Sequence, residues 1–164
     1  MLESQRESVP SADGGELDTV LAFLSFARSR VLKKLDGLGE EELRRRLVVS
    51  ETTLLGLVQH LTDGERYWFG HTVAGDPTHA AVDFGMVVAT DRPAATVIEE
   101  YRAAIAESDA QLAQVTDLDA LTSVPVGGAP RTVRWVIAHM TSETARHAGH
   151  ADILRELIDG TTGR

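Results

Sequence analysis

Apolar residues recur along most of this chain at intervals of three and four, the spacing of one face of an α-helix. From Glu16 to Asp36 they fall at Leu17, Val20, Leu21, Leu24, Ala27, Val31, Leu32 and Leu35, and Gly37 and Gly39 punctuate the end of that run. The stretch "EEELRRRL", Glu40–Leu47, sets acids before bases, the order a helix dipole favours, and predicts a short helical turn. A second long helix is expected to open at Ser50 or Thr52, both suited to an N-cap, and to run through "LLGLVQHLTDGERYWFGHTV". Residues 75–92, "GDPTHAAVDFGMVVATDR", hold Asp-Pro, Gly and no clear period, and read as a long connection. Thr90 or Asp91, with Pro93 in a first turn, starts a third helix through "IEEYRAAIAESDAQLAQV". After the turn cluster "VGGAPRT", Val126–Thr132, Thr132 caps a fourth helix that ends at Gly160.

Strand signals are confined to "LVV" at 47–49 and "MVV" at 86–88, too short to found a sheet. The pattern therefore predicts an all-α protein, a four-helix bundle with long crossover connections. A length of 164 residues suits one domain. Its expected extent is 16–160, after a flexible lead-in over 1–15 and before a tail over 161–164. Composition narrows the function classes. A net charge of −9 offers no footprint for nucleic acid or an anionic membrane. No run of about 18 apolar residues spans a bilayer, and the polar start "MLESQRESVPSADGG" is no secretory signal, so a cytoplasmic location is expected. There is no cysteine, which removes disulfides, thiolate ligands and a cysteine nucleophile. Any metal must be held by imidazole and carboxylate.

The fourth helix carries the candidate chemistry in "HMTSETARHAGHADILRELIDG". With His139 at zero and about 100° per residue, Glu143 falls near 40°, His147 near 80° and His150 near 20°. Val136, Leu154 and Leu157 share the same arc, so the stripe is expected to face inward. An unpaired charge there is expensive by several kcal/mol. A divalent metal would offset it, because i, i+4 spacing lets Glu143 and His147 reach one ion. His139 with Glu143, and His147 with His150, are geometric alternatives. A plain buried ion pair is an equally good reading of Glu143–His147 alone. The best third ligand is His60 in "LLGLVQHLTDGERYW", flanked by Leu57, Val58 and Leu61, although a lone histidine on an apolar face is more often a core residue. His71 and His79 look like loop residues. Tyr67, Trp68 and Trp135 are pocket or core aromatics. Glu65 and Arg102 are weighed as acid–base or anion-binding groups against the commoner solvated face.

"LLGLVQHLTDGERYWF", "EEYRAAIAESDAQL" and "RTVRWVIAHMTSETARHAGHADILRELIDG" resemble the DinB-like (YfiT-like) superfamily of metal-binding four-helix bundles, in its actinobacterial branch. The resemblance spans about Glu16 to Gly160 and carries little over 75–92. The superfamily pattern, one histidine on the second helix and two ligands four apart on the last, implies metal ligands His60, Glu143 and His147. Many relatives have histidine where this chain has Glu143. The histidine–glutamate–histidine version is similar to mycothiol-dependent maleylpyruvate isomerases and mycothiol transferases. His150 and His139 then become neighbours of the metal, on the substrate side, with packing favoured for His139.

Three protein ligands leave open positions on a metal, the arrangement of a catalytic site. The resemblance implies zinc first, with nickel, iron or manganese as alternatives, and a low-molecular-weight thiol cosubstrate made thiolate at that position. The expected activity is S-transfer of the thiol, mycothiol by a weak compositional hint, to a small-molecule electrophile. That hint is a scarcity of lysine (Lys33 and Lys34 alone) that suggests a GC-rich genome. The alternatives are a non-enzymatic metal- or ligand-binding stress-response bundle, and a thiol-dependent isomerase or metal-dependent hydrolase. The apolar faces would allow a homodimer.

Overall fold

Four long helices make the architecture of the computed structural model, which describes residues 8–163. Residues 1–7 of the expected lead-in and Arg164 of the expected tail lie outside the described residues. Helix α1 spans Glu16–Lys33, with Glu16 and Asp18 in its first turn and Arg30 and Lys33 in its last, the charge order that complements its dipole. A turn through Gly37, at φ 77°, leads to the short α2, Glu40–Leu43. Glu42 accepts there from the Gly39 N–H at 2.8 Å.

Helix α3, Leu54–Glu65, is capped one residue beyond Thr52, the later of the two expected caps. Thr53 Oγ1, rather than Thr52, accepts from the Gly56 N–H at 2.9 Å. The helix continues as a wider π-helical stretch, Arg66–Val73. His71 therefore belongs to a helical turn rather than a loop, while His79 ends a 3₁₀ turn, Pro77–His79. Helix α4 is Ala94–Leu112, with Pro93 before its first turn. Helix α5, Val133–Asp159, is capped by Thr132 Oγ1 on the Trp135 N–H at 3.2 Å. Gly160, in the left-handed conformation at φ 76°, stops it. Among the described residues there is no strand, only two isolated bridges.

α1 packs on α5, α3 packs on α4, and α3 meets α5 where the candidate ligands lie. Two apolar clusters fill the core. One gathers Val58, Leu61, Tyr101 and Leu154; the other gathers Leu24, Phe69, Ile137 and Met140. Each long helix also contributes buried polar residues, which form a polar belt within the core: Arg28 from α1, Glu65 from α3, Ser108 from α4, Thr144 and His147 from α5. This belt holds a bidentate ion pair. Arg28 Nε and Nη2 donate to the two oxygens of Glu65 at 2.7 and 2.5 Å, and Nη1 donates to Asp109 at 2.7 Å.

Glu65 is thus neither a solvated residue nor part of the candidate site. It sits four residues after Leu61 and seven after Val58, on the helix face that enters the core, and Arg28 compensates its charge. Burial pulls the Arg28 guanidinium down, yet Glu65 and Asp109 leave it net above its ordinary value. Arg102 is exposed and pairs with Glu99 at 3.6 Å. No helix among the described residues is long and apolar enough to cross a membrane.

Candidate metal centre

α3 and α5 bring His60, Glu143 and His147 together. One ligand atom from each lies within 4.8 Å of the other two, an arrangement that could hold a metal ion. The helical repeat explains the pair on α5, since four residues advance little more than one turn. His147 Nε2 lies 3.3 Å from Glu143 Oε2. Two ligands on a tetrahedral ion with bonds of about 2.1 Å lie about 3.4 Å apart, so this edge already has the needed length. The rings of His60 and His147 meet edge to face with centroids 4.7 Å apart.

Each imidazole is oriented from behind. His60 Nδ1 is 2.8 Å from the Phe84 carbonyl oxygen. A carbonyl only accepts, so Nδ1 carries the proton and the Nε2 lone pair is left for a ligand role. His147 Nδ1 lies 3.4 Å from His150 Nδ1, which leaves its Nε2 on the Glu143 side. Phe84 belongs to the connection over 75–92, which the hydrophobic pattern left without a role. Gly56 makes room for it. A Cβ at Gly56 would collide with the Met86 carbonyl oxygen.

The stripe on α5 does not face uniformly inward. Its buried positions, among them Val136, Met140, Thr144, His147 and Ala151, centre near 120° on the same wheel. The stripe therefore runs along the shoulder of that arc. His147 is buried, Glu143 and His139 are half-buried, and His150 is exposed. That slope opens the centre to a cavity of about 270 Å³ walled by Trp68, Phe84, His139 and Met140. His139 stacks on Trp135, centroids 5.2 Å apart and planes 8° from parallel, and meets the edge of Trp68 at 4.4 Å. Trp135 itself is partly exposed and not a core residue. Tyr67 packs between Trp68 and Phe84 at the rim. On the far side of His150 a second cavity of about 240 Å³ is walled by Val48, Ile153 and Leu154.

Electrostatics favour ligand-ready protonation states. Burial, aided by the charges of His60 and Arg146, pushes His147 down to about 4, so it is neutral at neutral pH. Burial likewise lowers His139, against the pull of Glu143. Burial pushes the Glu143 carboxyl up, but the hydrogen bond and charge of Arg146 leave it net below its ordinary range.

Arg146 is the residue that the helical pattern did not single out. Its Nη2 donates to Glu143 Oε2 at 2.5 Å and lies 3.4 Å from His147 Nε2. The i, i+3 relation of an acid and a base on one helix was the available signal. A family model described as mycothiol-S-transferase matches residues 19–160. No curated protein matches the chain.

Proposed function

Because the chain belongs to the mycothiol-S-transferase family, within the DinB-like superfamily, we propose that it transfers a low-molecular-weight thiol of the mycothiol type to a small electrophile, using a divalent metal held by His60, Glu143 and His147. The observation that carries this reading is the convergence of two imidazoles and one carboxylate beside an aromatic-walled cavity that His60 and Glu143 line. Zinc suits a nitrogen–nitrogen–oxygen set, and nickel, iron or manganese would be accepted by the same atoms. A bound divalent ion would supply the positive charge that keeps a thiol ionised at neutral pH.

The chain's own residues supply the rest. Phe84 O fixes the His60 tautomer, and His150 orients His147, so both Nε2 atoms face one point. Trp68, Phe84 and Met140 exclude water from the electrophile's side and offer flat apolar surface. Among the described residues, Glu143 is the only carboxylate lining this cavity. No second acid among those lining residues stands ready as a base for water, which disfavours a hydrolase reading.

Purified protein that has seen no chelator should contain about one metal per chain, and H60A should lose it. The loaded protein should consume mycothiol in the presence of monochlorobimane. Absence of stoichiometric metal from the wild type would sink the reading. Stoichiometric metal without thiol consumption would instead favour a non-enzymatic binding bundle, and ester hydrolysis without thiol a hydrolase.

A further inference from the structure

Arg146 places its cation against the very two atoms, Glu143 Oε2 and His147 Nε2, whose spacing matches an edge of a tetrahedral metal site. A guanidinium nitrogen cannot share that position with a metal ion, since the two cations would occupy the same space and His147 Nε2 has a single lone pair to offer. The side chain is also 58% exposed, so it has room to leave. Among the described residues, Arg146 and Glu143 are the only guanidinium and carboxylate lining the cavity.

Resting on the proposed metal-dependent reading, we propose that Arg146 is the specificity-determining residue of this cavity. In the metal-free protein it occupies the cation position on Glu143. Once a metal takes Glu143, Arg146 turns to an anionic group on the electrophile. Charge balance gives the reason. A divalent ion beside one carboxylate and one guanidinium leaves two formal positive charges in excess, and a thiolate removes only one. The remaining charge sits on Arg146, beside the flat walls of Trp68 and Phe84. A cavity of about 270 Å³ with one cation and aromatic faces selects an aromatic or similarly flat electrophile bearing an anionic substituent. No covalent step is assigned to Arg146 itself.

Two measurements on the intact chain test this. Competition with a chromophoric chelator gives the zinc affinity of wild type and Arg146→Gln. Removing the competing cation should tighten zinc binding about fivefold or more. Weaker or unchanged binding in R146Q would mean that Arg146 supports Glu143 as a ligand, and would overturn the proposal. In the second measurement, tryptophan quenching of zinc-loaded protein compares 4-nitrobenzenesulfonate, a weak metal ligand, with its neutral isostere methyl 4-nitrophenyl sulfone. Wild type should prefer the anion about fivefold or more, and R146Q should lose most of that preference. No preference in wild type, or one that survives unchanged in R146Q, rejects the anionic electrophile. A wild type that binds no zinc at all sinks the metal reading and this proposal together, a result distinct from either failure of Arg146 alone.

Discussion

His147 joins the protonation of the site to the stability of the fold. An ordinary imidazole takes up its proton near pH 6.5, whereas burial, with His60, Arg146 and His150 nearby, holds His147 at about 4 in the folded chain and Glu143 only partly opposes this. Between those values the unfolded chain binds more protons than the folded one, so stability falls as pH drops through the window, and the contribution of this one group is fully lost below it. Metal-free protein should lose on the order of 2–3 kcal/mol between pH 7 and pH 4.5, measured by urea unfolding. His147→Gln should flatten that part of the profile, and an equally steep profile in H147Q would contradict the assignment. Helical spacing and apolar neighbours brought His60, Glu143 and His147 forward as candidates beside His139 and His150, and only the family resemblance singled out the three. Arg146 was not singled out, because an arginine three residues after a glutamate on a helix reads as an ordinary surface ion pair. The Phe84 carbonyl leaves no trace in a side-chain pattern.

At the scale of elements the long helices were readable, but the expected caps match only at α5: Thr53 rather than Ser50 or Thr52 caps α3, and Pro93 rather than Thr90 or Asp91 stands at the N-cap of α4. Thr132 and Gly160 bound α5 because a hydroxyl and a left-handed glycine have few other uses there. The long connection was unreadable, since its place is set by a tertiary fit against α3. That fit hinges on Gly56, whose missing Cβ lets the Met86 backbone approach. Gly56→Ala should keep the helix, because alanine is the better helix former, yet push the connection away. The expected result is unchanged helical circular dichroism with zinc affinity weakened severalfold, as His60 loses its hold on the Phe84 carbonyl. Zinc affinity equal to wild type would mean that the connection has no part in the site.

For the molecule as a whole, the polar belt is the feature that the hydrophobic pattern misjudged at Glu65. Its position on the core face was visible, but an acid there reads as exposed until a partner appears, and Arg28 lies 37 residues away in sequence. Removing one member leaves a buried charge alone. Glu65→Leu should therefore cost about 3–5 kcal/mol by denaturant unfolding, while the double variant Arg28→Met with Glu65→Leu should recover much of that loss. Additive losses would show that the pair is not coupled.

The bond from His60 to the Phe84 carbonyl has a further consequence. The acceptor is main chain, which any amino acid supplies. The connection can therefore exchange most of its letters over evolutionary time without disturbing the histidine it steadies, so long as the path of the backbone past Gly56 is inherited. Variation in this segment is free to reshape the mouth of the cavity while the cluster of His60, Glu143 and His147 beneath it stays fixed.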